Sequence, residues 1–250
     1  MTIHAERFDP IERTGARRPP AGRRADGLAG FGLFADLTLA DRAALLDAAG
    51  SLTFDKGDPI RADDQGDDLI VLQEGIAALG IDDDGRRAVL AVVSAPQVLN
   101  LACVMASTSP LATWRAAERC RVLFVPHSLF LGMVSRDPCL AAKAAATLAN
   151  DYQDLVATAA AQRLRCAQER LADFLLSLSA GASGCAEIRL PYSKHLLASL
   201  LGMTPENLSR TMAALGPFGV SVQGADIRIA DRQSLRAAVG RLGASVRSGP

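Results

Sequence analysis

Glu206, Ser209 and Arg210 place a carboxylate, a hydroxyl and a guanidinium within five residues near the C-terminal end of a 250-residue chain. This is the chemistry of reading base edges in duplex DNA. An arginine donates two bonds to guanine O6 and N7, a glutamate accepts from cytosine N4, and a serine serves either way. With Ala213 they step by three, one and three, which puts them on one face of a helix. Leu208, Met212 and Leu215 step by four and three on the opposite face, the pattern of a buried stripe. The plain alternative is a solvated surface with an incidental Glu–Arg pair.

The surrounding residues set that alternative aside, because they agree with one another. Ser193 predicts the cap of a first helix running through Leu201 and carrying His195, a residue for a phosphate contact or for plain exposure. Gly202 permits a tight turn, and Thr204-Pro205 opens a second helix with a capping hydroxyl and proline at its first position. Two helices joined by so short a glycine turn predict a helix-turn-helix. Val220-Ser221-Val222, Gln223-Gly224 and Ile227-Arg228-Ile229 then predict a hairpin wing.

Further upstream, the stretch after Pro138 has no Gly or Pro through Arg165. Leu140, Ala144, Thr147 or Leu148, Tyr152 (or Asp151), Leu155 and Ala159 repeat there at steps of three and four. A helix this long with a narrow apolar stripe predicts a homodimer seam. A second helix is expected around Ala167 to Ser179. Earlier still, Thr38 caps a short expected helix to Ala49. It is followed by β-type runs punctuated by Lys56-Gly57-Asp58-Pro59, Gln65-Gly66-Asp67, Glu74-Gly75, Asp84-Gly85 and Ala95-Pro96, the spacing of a β-sandwich or roll. Ala88 to Trp114 contains no charged residue and is expected to form buried strands and turns. Residues 1–27, with six arginines and no apolar periodicity, are expected to be a flexible tail.

Equal numbers of basic and acidic side chains, 27 each, conceal a segregation. From Thr53 to Leu90 ten acids face four bases, whereas from Ala161 to Pro250 eleven bases face six acids. The second half therefore attracts a phosphate backbone and the first repels it. No apolar run is long enough to span a bilayer, and the N-terminal stretch lacks an apolar signal core, so a cytoplasmic protein without membrane attachment is expected. The five scattered cysteines offer no close pair for a disulfide framework or a zinc site. The chain has neither G-x-S-x-G, H-E-x-x-H, P-loop nor G-x-G-x-x-G, and its three isolated histidines form no obvious triad, so no enzyme is expected. A small-ligand-binding module with DNA binding secondary is the alternative class.

The layout resembles the CRP/FNR family of bacterial transcription regulators over nearly its whole length. The most specific match is Leu201-Gly202-Met203-Thr204-Pro205-Glu206-Asn207-Leu208-Ser209-Arg210, whose Glu-x-x-Ser-Arg is similar to the recognition helix of the FNR branch. Arg170-Leu171-Ala172-Asp173-Phe174-Leu175-Leu176-Ser177-Leu178-Ser179 is similar to the first helix of the family's DNA-binding domain. The resemblance implies an α+β fold: a tail at 1–27, a cyclic-nucleotide-binding-like β-roll sensor at 28–136, a dimerisation helix at 137–165 and a winged helix-turn-helix at 166–250. It implies a homodimer acting with RNA polymerase on double-stranded DNA carrying TTGAT-N4-ATCAA. It implies that Glu206, Ser209 and Arg210 read the half-site, and the helix pattern adds Thr204, Ala213 and His195 to the expected DNA-contacting set.

The expected sensor chemistry departs from the cyclic-nucleotide-binding members. Where those carry Gly-Glu and then Arg-Ser or Arg-Thr, this chain has Val98-Leu99-Asn100-Leu101-Ala102-Cys103 and Pro110-Leu111-Ala112-Thr113. A phosphodiester buried there without a cation meets a severe desolvation cost, so cyclic AMP is not the expected effector; Arg115 is the nearest substitute. No cysteine precedes Cys103, which argues against the iron–sulfur cluster of the oxygen-sensing members. The apolar cassette remains compatible with haem, with His4, His127 and Cys103 as weak candidate ligands. His127 is expected at a strand exit on the surface, and Cys103 as a small buried hydrophobe.

Overall fold

The computed structural model describes residues 28, 30–61, 67–83, 86–181, 184–190, 192–237 and 239. The arginine-rich segment 1–27, and His4 with it, lies outside the described residues.

After a 3₁₀ turn at Gly32–Phe34, the chain forms α1 (Leu39–Ala48), β1 (Gly50–Phe54), β2 (Leu69–Glu74), β3 (Ile76–Asp83), β4 (Arg86–Ser94), β5 (Gln97–Val98), α2 (Leu101–Ala106), β6 (Thr113–Ala116), β7 (Cys120–Val125), α3 (His127–Arg136) and α4 (Pro138–Leu164). Two antiparallel sheets result, ordered β1-β7-β2-β5 and β4-β3-β6. Between them lie Phe54, Leu72, Ala77, Leu99, Ala116, Val122 and Phe124. The outer face of the first sheet is covered by helices: Leu69, Val71, Leu123 and Val125 pack with Phe34, Leu45, Val104, Phe130, Met133, Leu140 and Ala144. Burial on both faces is why β7, Cys-Arg-Val-Leu-Phe-Val, is a near-continuous apolar run.

The uncharged stretch from Ala88 to Trp114 is not strands and turns alone. It contains α2, a helix of six residues that ends at Ser107 with φ +50°. So short a helix shows no usable apolar period, and packing of Leu101 and Val104 into the core holds it. The ten residues of α3 likewise bury Phe130 and Met133.

Asp137 starts α4, its Oδ1 accepting from the backbone N–H of Cys139 and Leu140 at 2.8 and 3.2 Å, with Pro138 in the first turn. Its 27 residues run about 40 Å. Leu140 and Ala144 are buried against the β-roll, whereas Tyr152, Leu155 and Leu164 are 63%, 60% and 77% exposed. Leu148 is half-buried on the same core cluster as Leu140.

Beyond α4 come α5 (Ala167–Leu178), β8 (Ala186–Arg189), α6 (Lys194–Leu200), α7 (Pro205–Ala214), β9 (Val220–Gln223) and β10 (Asp226–Ile229), and residues 232–237 are helical. The wing has three strands, ordered β8-β10-β9, because β8 joins the expected hairpin with Ile188 opposite Ile227. Leu171, Leu175, Leu197, Leu208, Met212, Leu215, Ile227 and Ile229 form the separate core of this C-terminal domain.

Candidate nucleic-acid interface

The helix-turn-helix is set by local chemistry. Ser193 Oγ accepts from the Leu196 N–H at 3.3 Å to start α6, and Thr204 Oγ1 accepts from the Asn207 N–H at 3.2 Å to start α7. Between them Gly202 has φ +64°, a left-handed conformation that glycine adopts without the cost of a Cβ. The Met203 N–H closes the turn on the Ala198 carbonyl at 2.9 Å.

On α7, Leu208, Thr211 and Met212 are buried, while Glu206, Ser209, Arg210 and Ala213 are exposed. Thr204 and His195 are exposed as well. The Glu206 carboxyl is held below the usual carboxylate range by its own backbone N–H, by the Thr204 hydroxyl, and by the positive fields of Arg210 and His195. His195 on α6 and Glu206 on α7 thus share one surface. The Arg210 Nε reaches back toward the Glu206 carbonyl at 3.5 Å, a bond long enough to be exchanged for a base edge.

Asn207 adds an exposed amide beside this face. It is exposed one turn before Arg210 and Thr211, and with them it lines a groove between α7 and the start of α5 at Cys166, Ala167 and Gln168. Its i, i+3 spacing from Arg210 was the available signal. The outward face of the wing presents Arg189 and Arg228 among Glu187, Ser221, Gln223 and Asp226.

In the β-roll, Asn100 is a structural bridge. Its Oδ1 accepts from the Ile70 N–H at 2.7 Å and its Nδ2 donates to the Asp68 carbonyl at 2.8 Å. Trp114 and Ala116 of β6 face the core between the sheets, so Arg115 points the other way. There its Nη1 donates to the Gly57 carbonyl at 3.2 Å and its Nη2 lies 3.6 Å from Asp82. The residues present do not fit a cyclic nucleotide: in the stretch expected to hold it, the Asn100 amide bonds the backbone at Ile70 and Asp68, and the nearest guanidinium, Arg115, lies against Gly57 and Asp82.

Of the weak candidate metal ligands, His127 and Cys103 lie within the described residues. His127 follows the exit of β7 as expected, but it is the half-buried first residue of α3 rather than a surface residue, and its Nε2 lies 3.2 Å from the carbonyl of Val104, the neighbour of Cys103. A carbonyl only accepts, so Nε2 carries the proton there and is committed to α2. Cys103 is half-buried, with burial pushing its thiol pKa up. Among the described residues no group of three or more His, Cys, Asp or Glu side chains is arranged to hold a metal ion, and no helix is long and apolar enough to cross a membrane.

The cyclic nucleotide-binding domain family matches residues 52–137, and the Crp-like helix-turn-helix domain family matches residues 169–238. No curated protein matches the chain. Among solved structures, a candidate cyclic nucleotide binding protein from Ruegeria pomeroyi is 28% identical, the match covering 86% of this chain and 97% of that one with a TM-score of 0.58. FixK2 from Bradyrhizobium japonicum is 23% identical over 76% of this chain and 96% of its own, with a TM-score of 0.66. A candidate CRP/FNR-family transcriptional regulator from Eubacterium rectale is 21% identical over 84% and 98%, with a TM-score of 0.60. With a cyclic nucleotide-binding domain, a long connecting helix and a Crp-like helix-turn-helix in one chain, this protein is a DNA-binding transcription regulator of the CRP/FNR type.

Proposed function

We propose that the chain binds, as a homodimer, an inverted repeat of the form TTGAT-N4-ATCAA and thereby recruits or blocks RNA polymerase. The observation that carries this reading is the division of α7 into a buried apolar face and an exposed face bearing Glu206, Ser209, Arg210 and Ala213. Arg210 donates to guanine, Glu206 accepts from cytosine on the facing strand, Ser209 serves beside them, and Thr204 and His195 approach the backbone. The dimer forms along α4, where Tyr152, Leu155 and Val156 leave an exposed apolar stripe, and it sets two reading helices in successive major grooves about 34 Å apart. The effector is not cyclic AMP, because Asn100 and Arg115 are both committed elsewhere. Gel-shift titration with the inverted repeat and with a scrambled duplex tests the reading. Specific retardation at nanomolar protein is expected, and equal affinity for both duplexes would overturn it.

A further inference from the structure

β4 is an outer strand in the order β4-β3-β6, so its outer edge presents backbone groups that no strand among the described residues pairs. The Val89 N–H is covered from a distance: it donates to Ser199 Oγ at 3.1 Å, across 110 positions of sequence. Val89 is buried and lies opposite Gly80, next to the bulge between Leu79 and Gly80. The donor belongs to the sensor domain and the acceptor to the last turn of α6, directly before the turn into the reading helix.

The same turn is gripped from its other side. Arg170 Nε donates to the Leu201 carbonyl at 2.9 Å, and the Gln162 amide of α4 lies within 4 Å of where a Cβ at Gly202 would stand. The end of α6 is therefore held between the edge of a sensor sheet and the end of α4. While it is held, Glu206, Ser209 and Arg210 remain exposed. The contact does not cover the reading face; it constrains its direction.

We infer that Ser199 is a positioning residue for DNA binding: its hydroxyl on the β4 edge fixes the angle at which α7 is presented, and so selects the half-site spacing that a dimer accepts. The inference rests on the proposed DNA reading. A head that swivels meets two half-sites at several separations, while a head held at both sides meets them at one and loses less freedom on binding.

The test uses the full chain, with Ser199→Ala and Ser199→Thr, on duplexes whose TTGAT half-sites are separated by four, five or six base pairs and on a single half-site. Alanine suits a helix interior, so folding is retained. Ser199→Ala is expected to shrink the preference for N4 over the longer spacers by about threefold to tenfold, the range of one hydrogen bond, and to leave single-half-site affinity unchanged. It should also speed exchange of the Val89 amide hydrogen, and Ser199→Thr should restore both properties. An unmoved spacing preference, an unmoved Val89 exchange rate, or tighter operator binding by Ser199→Ala overturns the inference. A wild-type chain that binds none of the duplexes overturns the DNA reading itself.

Discussion

Arg170 and Leu201 are joined by a bond from the Arg170 Nε to the Leu201 carbonyl at 2.9 Å, while the same guanidinium donates through Nη1 to the Arg165 carbonyl at 2.7 Å. One planar fork thus ties the end of α4 to the end of α6. A lysine keeps the charge but cannot serve both carbonyls in this geometry. Arg170→Lys and Arg170→Ala should each destabilise the C-terminal domain by about 1–3 kcal/mol, because carbonyls paired to a charged donor lose it. Chemical denaturation followed by circular dichroism reads this, and a lysine variant as stable as wild type contradicts it.

Base reading and phosphate attraction separate by experiment. Arg210→Ala should cost about 1–3 kcal/mol per half-site and relax the preference at its G·C pair. Lys194→Ala, at the exposed start of α6, should weaken all duplexes alike and lower the salt slope by about one. Affinities for cognate and single-base-changed operators at several salt concentrations distinguish the two. If Arg210→Ala weakens every duplex equally, Arg210 contacts the backbone.

The pH behaviour of Glu206 has a definite sign. Its backbone N–H, Thr204, Arg210 and His195 all favour the ionised form, so its folded pKa is depressed. What the carboxylate contributes is present above the usual carboxylate range and is lost only as pH falls through the lowered value. Discrimination at the cytosine facing Glu206 should therefore be the same at about pH 5 as at neutrality, while Glu206→Gln should erode it at both. Loss of wild-type discrimination already at about pH 5 would show that the carboxylate is not held ionised.

Leu155 and Leu148 on α4 are not equivalent. Leu155 is 60% exposed, whereas Leu148 packs against the β-roll core. Leu155→Glu should therefore yield folded monomers and weaken operator binding, whereas Leu148→Glu should lower the melting temperature further by disturbing the sensor core. Elution volume by size exclusion, together with operator titration, checks this. Dimers that persist in Leu155→Glu place the seam elsewhere.

Cyclic AMP at about millimolar concentration, enough to fill even a weak site, should neither bind by calorimetry nor alter operator affinity. Removing the Asn100 amide should act on the fold instead. Asn100→Ala leaves the Ile70 N–H and the Asp68 carbonyl without a side-chain partner and should cost about 1–3 kcal/mol. Saturable cyclic AMP binding by the wild-type chain would mean that the sensor rearranges to free a cation for the phosphate.

The reading helix was legible in the sequence because everything that specifies it is local. Thr204 caps, Pro205 opens, Gly202 turns, and Leu208, Met212 and Leu215 repeat within a few residues of the groups they bury. Stretches such as Cys120–Val125 and Pro138–Leu164 likewise carry their strand or helix identity in their own composition and period. Tertiary structure decided what depends on a distant partner. The six residues of α2 are helical because the core receives Leu101 and Val104, and β8 is a strand because β10 supplies its hydrogen bonds. Arg115 turns outward because β6 buries Trp114 and Ala116, and Asn100 is occupied because β2 passes beside it. Ser199 meets Val89 only once two domains of one chain have been placed against each other. Local propensity and periodicity are written in consecutive residues, whereas pairing across a sheet edge is fixed by which surfaces remain to be covered after the rest has folded.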